Sequence, residues 1–209
     1  MRITAEKKAE TRSRLIQIAG DLFGEQGFAE TTTRHIAKKA HLASGTIFNY
    51  FRSKEELARA LVVGLLEGAH VEFAATRRLA GTLDEWLFGL VATELRHLQS
   101  TRSYLREILN GVIHPFDSAG SVATEFRRVH LNQVREILDN FGIDGHAGIP
   151  GWEHLYWSLY LGVLAHWAAD ATSNQEATMA LLDRAVGMFL SLVRFWPTAP
   201  RHYDIADDE

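Results

Sequence analysis

Apolar residues recur every three or four positions along almost the whole of this 209-residue chain. Runs rich in Val, Ile and Thr that alternate with polar residues are absent. The first spacing lines one face of a helix, whereas a half-buried strand alternates with period two. The chain is therefore expected to be all-α, with about nine helices. Hydrophobic residues make up 46% of it, enough to bury a core and to exclude a disordered polymer.

Local punctuation divides the pattern. Leu15, Ile18, Ala19, Leu22 and Phe23 share one face of a first helix, and Gly27 suits a left-handed cap at its end. Thr32 is placed to cap a second helix, whose buried side is Ile36, Ala37 and Ala40. Leu42 plugs the following turn, and Ile47 and Phe51 point inward from a third helix. Ser53-Lys54-Glu55-Glu56 has the form of a capping box, so a long helix is expected through Leu57, Leu61, Leu65 and Phe73 to about Arg78. Gly81-Thr82 breaks it, and Thr82 with Glu85 opens another helix, to about Ser100. Further helices are expected at about 102–113 and 121–141, separated by a loop around His114-Pro115 and Gly120. Residues 142–151, with four glycines and one proline, form a loop. Trp152, Tyr156, Leu159 and Val163 mark a helix at about 152–171. Ser173 and Glu176 suggest a third capping box. Leu182, Ala185, Phe189, Leu192 and Trp196 mark a last helix at about 175–196, stopped by Pro197.

The last two helices carry a second face of small residues: Ser158, Gly162, Ala165 and Ala169 on one, Ala177, Ala180, Gly187 and Ser191 on the other. Such faces allow close backbone approach, either within the chain or to a second copy. A homodimer through helices 152–171 and 175–196 is the reading adopted.

Charge is uneven. Residues 1–60 hold 11 Lys and Arg against 7 Asp and Glu, while residues 61–209 hold 11 against 19. A basic head on an acidic body places phosphate contacts on the head. Cysteine is absent, which excludes disulfides and thiolate zinc sites. Residues 1–14 are charged, so no secretory signal is expected there, and no apolar run is long enough to span a bilayer. A cytoplasmic location is expected, with no membrane partner.

Residues 31–56, TTTRHIAKKAHLASGTIFNYFRSKEE, have the layout of a helix-turn-helix. In that motif the second of the paired helices enters the major groove of duplex DNA with its first residues towards the bases. Thr33 and Arg34 fall at the start of the preceding helix, whose free N–H groups attract phosphate. Ser44, Gly45, Thr46 and Asn49 face outward from the reading helix. Gly45 permits close approach, Thr46 suits a thymine methyl or a phosphate, and Asn49 suits adenine. Tyr50 and Lys54 are placed to hold phosphates beyond it. Each of these eight residues can equally be a solvated surface side chain; the DNA-binding role is adopted for the group.

Residues 10–58 resemble the DNA-binding domain of TetR-family transcriptional regulators, through TTTRHIAKKA, SGTIFNYF and SKEEL. The resemblance implies that the eight positions named above touch operator DNA. It also implies a head of residues 1–53, a ligand-binding and dimerising body of residues 54–209, and release of DNA when a small molecule moves the linking helix. Three positions depart from the pattern. His41 stands where the family mostly has Gly, Ala43 where a Ser usually caps the reading helix, and Phe48 where Tyr is common.

Trp86, Phe88, Tyr104, Phe116, Trp152, Tyr156, Trp157, Tyr160 and Trp167 make the body aromatic. Most such residues serve the core, but an apolar or aromatic effector fits them. Phe73, Trp86, Tyr104, Tyr156 and Tyr160 are the candidate ligand contacts, with His97 and His154 as polar handles. None of the ten histidines sits in HxxxH or HExxH spacing, and no phosphate loop, nucleophile elbow or paired carboxylate motif occurs. No metal, cofactor or catalytic residue is expected. The function expected is a palindrome-binding repressor released by a small ligand. The alternatives are a helical small-molecule binder whose head no longer reads DNA, and a sequence-independent architectural DNA binder.

Overall fold

The computed structural model describes residues 4–77, 80–105, 122–143 and 151–195. Among the described residues seven α-helices run in the order α1 (Ala5–Gln26), α2 (Thr33–Lys39), α3 (Lys54–Thr76), α4 (Leu83–His97), α5 (Val122–Asn140), α6 (Trp152–Ala169) and α7 (Glu176–Phe195). Three short 3-10 turns join them, at Thr46–Asn49, Leu98–Thr101 and Ser173–Gln175. No strand occurs among the described residues, so the all-α expectation holds. Of the helix expected at 102–113, only residues 102–105 are described. Phe116, Gly120, Trp196 and Pro197 lie outside the described residues.

The head is α1, α2 and the turn that follows. Leu15, Ala19, Ile36, Ala37 and Ile47 are wholly or almost wholly buried, and Phe51 and Leu57 close the same core. Gly27 adopts φ 88°, and its N–H donates to the Phe23 carbonyl, as the C-terminal cap required. Thr32 caps α2 by accepting from the His35 N–H. Two uncharted ties fix the α1–α2 corner. Buried Thr31 donates its hydroxyl to the Gly27 carbonyl at 2.8 Å, and Arg14 donates to the Ala40 carbonyl at 2.6 Å.

The expected reading helix is only a 3-10 turn, Thr46–Asn49, with no side-chain cap. Neither Ala43 nor Ser44 supplies the missing acceptor. Gly45, Thr46, Ile47 and Asn49 are all poor helix formers, so nothing local extends the turn into an α-helix.

Helix α3 belongs to both parts. Leu57 and Ala58 are buried at its head end, and Leu66, Ala69 and Phe73 are buried in the body. Its 23 residues make a rod of about 35 Å. Ser53 caps it by accepting from the Glu56 N–H at 3.1 Å, while Glu56 accepts from the Arg52 N–H at 2.7 Å. The capping box is thus displaced by one residue. In the body, α3 packs against α4 and α5, α4 packs against α7, and α6 pairs with α7.

The cap expected of Ser173 is made by other residues. Asn174 and Gln175 have positive φ, which breaks the run before α7. Thr172 accepts from the Ala177 N–H, and Asp170 accepts from both the N–H and the hydroxyl of Thr178. Hydrogen bonds from Thr172 and then from Thr178 hold the Asp170 carboxyl well below the usual carboxylate range. Arg102 answers from the other side, donating to the Trp167 and Asp170 carbonyls at the end of α6. That places a cation on a helix C-terminus, where the dipole favours it.

Candidate nucleic-acid interface and buried polar cluster

The eight head residues lie on α2, on the turn after it and at the start of α3, and they are not equally free. Arg34, Ser44, Gly45 and Asn49 are exposed, and Thr33, Thr46 and Tyr50 are half-buried. A Cβ built on Gly45 would meet nothing within 4 Å, so the backbone there is open to a close-approaching partner. Phe48, which was not among the candidates, stands 55% exposed. An aromatic ring there suits a thymine methyl. His41 holds φ 55° in the turn, the left-handed conformation that Gly usually supplies.

Lys54 is committed differently from expectation. Its ammonium donates to the Phe28 carbonyl at 2.6 Å and lies 4.1 Å from the centre of the Phe28 ring. Phe28 in turn stacks on Tyr104 at 5.1 Å, with Phe23 edge-on to both. Lys54 and Tyr104 thus join head to body. Burial pushes the Tyr104 hydroxyl up to about 12. Tyr104, expected as a ligand contact, is packed instead against Phe23 of α1 and against Phe28.

The remaining ligand candidates also separate. Phe73 and Trp86 pack edge-to-face at 6.4 Å, and Arg77 lies over the Trp86 ring at 4.3 Å. His97 pairs with Glu72 at 2.7 Å. His154 is exposed, because two residues along a helix place it about 200° from Tyr156. Tyr156 and Tyr160 share a recess. It lies between α4, α6 and α7, is lined also by Val91, Leu159, Val163 and Leu182, and has a volume of about 10 Å³. That is room for one small solvent molecule.

Beside this recess lies a polar cluster that the sequence did not reveal. Glu94 of α4 is fully buried. Its Oε1 faces His70 Nε2 of α3 at 2.6 Å and His130 Nδ1 of α5 at 2.8 Å. Its Oε2 accepts from the Tyr160 hydroxyl of α6 at 2.9 Å. His130 Nε2 lies 3.3 Å from the Tyr156 hydroxyl, and its ring stacks on Tyr160 at 3.8 Å. Burial alone would raise the Glu94 carboxyl; the charge of His130 and hydrogen bonds from both histidines overcome it and hold the group at about 2. Burial first, and then the Glu94 charge, push Tyr156 and Tyr160 well above the usual phenol range.

The family model for bacterial regulatory proteins of the tetR family matches residues 15–61. Over 197 residues the chain is 32% identical to the HTH-type transcriptional regulator SrpR of Pseudomonas putida, a match covering 92% of this chain and 90% of that protein. The chain belongs to the TetR family. Two other TetR-type comparisons are shorter. KstR2, a transcriptional repressor of Rhodococcus jostii, is 30% identical over 59% of this chain and 63% of its own length. KstR2 of Mycolicibacterium smegmatis is 31% identical over 46% of this chain and 49% of its own length. The chain therefore spans about half to under two thirds of these relatives. Among solved structures, Thermus thermophilus FadR, a TetR-family repressor in complex with lauroyl-CoA, shares the fold. Its TM-score is 0.69 at 23% identity, over 92% of this chain and 99% of that one.

Within this TetR-family chain the cluster did leave a signal. Glu94 falls on the apolar stripe Leu83, Leu87, Leu90; His70 on Leu66 and Phe73; His130 on Phe126, Val134 and Ile137. A titratable residue on the core stripe of each of three helices calls for a common partner. Motif spacing could not find it, since Glu94 lies 24 residues from His70 and 36 from His130.

Proposed function

We propose that this chain is a site-specific, homodimeric transcriptional regulator that represses from a palindromic operator until a small apolar or aromatic ligand releases it. The observation that carries the reading is the head: Arg34, Ser44, Gly45 and Asn49 stand exposed on a packed helix-turn-helix, rigidly continued into the body by α3. Residues 1–53 act as the DNA-reading domain and residues 54–209 as the effector-binding and dimerisation domain. SrpR and KstR2, named as transcriptional regulator and repressor, favour this role.

The faces of α6 and α7 support the dimer. Ser158, Gly162, Ala165, Ala169, Ala180, Gly187 and Ser191 are all exposed in the single chain. A Cβ on Gly162 or Gly187 would meet nothing within 4 Å. Met188, at 59% exposure, and Leu155 and Leu192 add apolar surface to the same helices. Two heads held this way must match successive major grooves about 34–36 Å apart. A ligand releases DNA only if it binds one head spacing better than the other. The tight recess at Tyr156 and Tyr160 means that an effector entering there must open it. FadR of Thermus thermophilus, which binds lauroyl-CoA, offers an acyl chain as one apolar class to screen.

The test is fluorescence anisotropy with duplex DNA from upstream of the chain's own gene, against a scrambled duplex at physiological salt. Tight binding to the first alone, with two subunits per palindrome, supports the reading. Weak, equal, salt-sensitive binding to both, followed by failure of a random-sequence selection, would leave the small-molecule binder with a silent head. The uncapped 3-10 turn at Thr46–Asn49 is the observation that keeps that second reading in play.

A further inference from the structure

Three helices that have no local motif in common bring His70 Nε2, Glu94 Oε1 and His130 Nδ1 together, all within 4.8 Å of one another. Protons alone can hold a buried carboxylate between two imidazoles, but this arrangement is more particular. Both imidazole nitrogens approach the same oxygen, Oε1, so three potential ligand atoms are gathered side by side. Two of the atoms left over are tied elsewhere. Tyr160 donates to Oε2, and Tyr156 faces the far nitrogen of His130. Outer partners of this kind orient a metal-binding imidazole and carboxylate and fix which ring nitrogen is free to ligate.

We propose that His70, Glu94 and His130 form a mononuclear site for a divalent transition metal of the zinc class. Two imidazoles and one carboxylate are a donor set for Zn2+ or Co2+, not for Mg2+ or Ca2+, which require mostly oxygen. In a tetrahedral site with bonds of about 2.0–2.1 Å, ligand atoms stand about 3.3 Å apart. The present contacts of 2.6 and 2.8 Å must therefore lengthen by roughly 0.5–0.7 Å, a rotamer-scale adjustment. Ligation requires each imidazole to present an unprotonated nitrogen, so binding weakens as pH falls. Three protein ligands leave a fourth position for water or for a donor atom of a bound molecule. The metal binding itself does not depend on the head reading DNA.

The test uses tag-free, chelator-treated full-length protein titrated with Co2+ and Zn2+. The expected result is one metal per chain, the visible absorption of four-coordinate cobalt, and a rise in melting temperature with Zn2+. His70→Ala, at the edge of the cluster, should weaken binding by on the order of 100-fold or more, and Tyr156→Phe by about 10-fold, the loss expected of an outer partner. His154→Ala, on the exposed surface, should leave it unchanged. Helicity by circular dichroism confirms that each variant is folded. The wild-type cobalt spectrum needs no variant and is decisive: if no four-coordinate absorption develops at one equivalent, the cluster is a proton-linked network only. Stoichiometric binding that survives His70→Ala also overturns the proposal, since other histidines then hold the metal.

Discussion

The head and the body treat polar side chains in opposite ways. In the head, Arg34, Ser44 and Asn49 sit on the surface above a small apolar core, and the structure gives them no partner of their own to preserve. In the body, Glu94, His70 and His130 lie inside the core and bond chiefly to one another and to Tyr156 and Tyr160. A surface group left free can be altered with little effect on folding. A buried group bonded on every side cannot be removed without stranding its neighbours. Function written on the head should therefore separate from stability, and function written in the body should not.

The strongest way to break this contrast is Glu94→Ala. It leaves two imidazoles and a phenol facing an empty core position. Losing one member of a buried ionic group costs about 3–5 kcal/mol, which should appear as a large fall in the urea midpoint. A loss under about 1 kcal/mol would mean that the body core tolerates the cluster's absence, and the contrast would fail.

The same carboxylate gives the body a signature in acid. Its folded value of about 2 lies below the ordinary 4.5, so the unfolded chain takes up the proton first. The resulting stability is full above about pH 4.5 and is lost as pH falls towards about 2. Glu94→Gln should flatten the stability–pH curve across that window and leave it parallel to wild type at higher pH, where chemical unfolding can be followed. An unchanged slope between those values would remove Glu94 as the cause.

Arg34→Ala tests the other half. It should leave unfolding free energy within about 0.5 kcal/mol of wild type yet weaken operator binding by about 1–3 kcal/mol if the guanidinium reaches a base. Equal binding by the variant in a direct titration would show that Arg34 is not a reader.

What sequence disclosed follows the same division. Much of the head was legible because its devices are local: the Gly27 cap, the Thr32 cap and the Ile36-Ala37-Ala40 stripe lie within a few residues of one another, whereas the reading helix, which shrinks to the Thr46–Asn49 turn, was not. The span of α6 and the start of α7 were legible for the same reason, from a 3.6-residue pattern. The body's interior was not. Tyr104 was grouped with Tyr156 and Tyr160 as an aromatic, but which helix reaches it is decided by tertiary packing, and α1 does so. Ser173 matched a capping box in spacing, yet positive φ at Asn174 and Gln175 hands the cap to Thr172 and Asp170. Glu94 drew no notice in the sequence because its partners come from α3 and α5, 24 and 36 residues away.

That cap exchange gives a smaller, paired prediction. Thr32→Ala removes the acceptor for the His35 N–H and should cost about 0.5–2 kcal/mol. Ser173→Ala should cost nothing measurable, while Thr172→Ala, which frees the Ala177 N–H, should cost about as much as Thr32→Ala. Urea unfolding of the three variants side by side decides it. If Ser173→Ala proved the costly one, the cap would be where the spacing first put it.

The smallest effect concerns the turn of the head. His41 is exposed and holds φ 55°, a conformation that places a Cβ too near the following carbonyl and costs a non-glycine residue about 1–2 kcal/mol. Its N–H donates to the Lys38 carbonyl, a bond any residue but proline can keep. His41→Gly therefore relieves backbone strain without losing packing. It also gives the unfolded chain more freedom to lose, which offsets about half to one kcal/mol of the gain. The net should be a stabilisation of up to about 1 kcal/mol, seen as a small rise in the urea midpoint. Gly27→Ala is the mirror experiment: at φ 88° the added Cβ brings strain in a position that has space around it, so it should destabilise. Operator binding then sharpens the comparison of the two regions. If His41 serves only the turn, His41→Gly changes stability and leaves affinity alone. A change in affinity greater than the change in stability would place the imidazole on the DNA face, and would extend the readable surface of the head into a turn that its backbone alone appoints to structure.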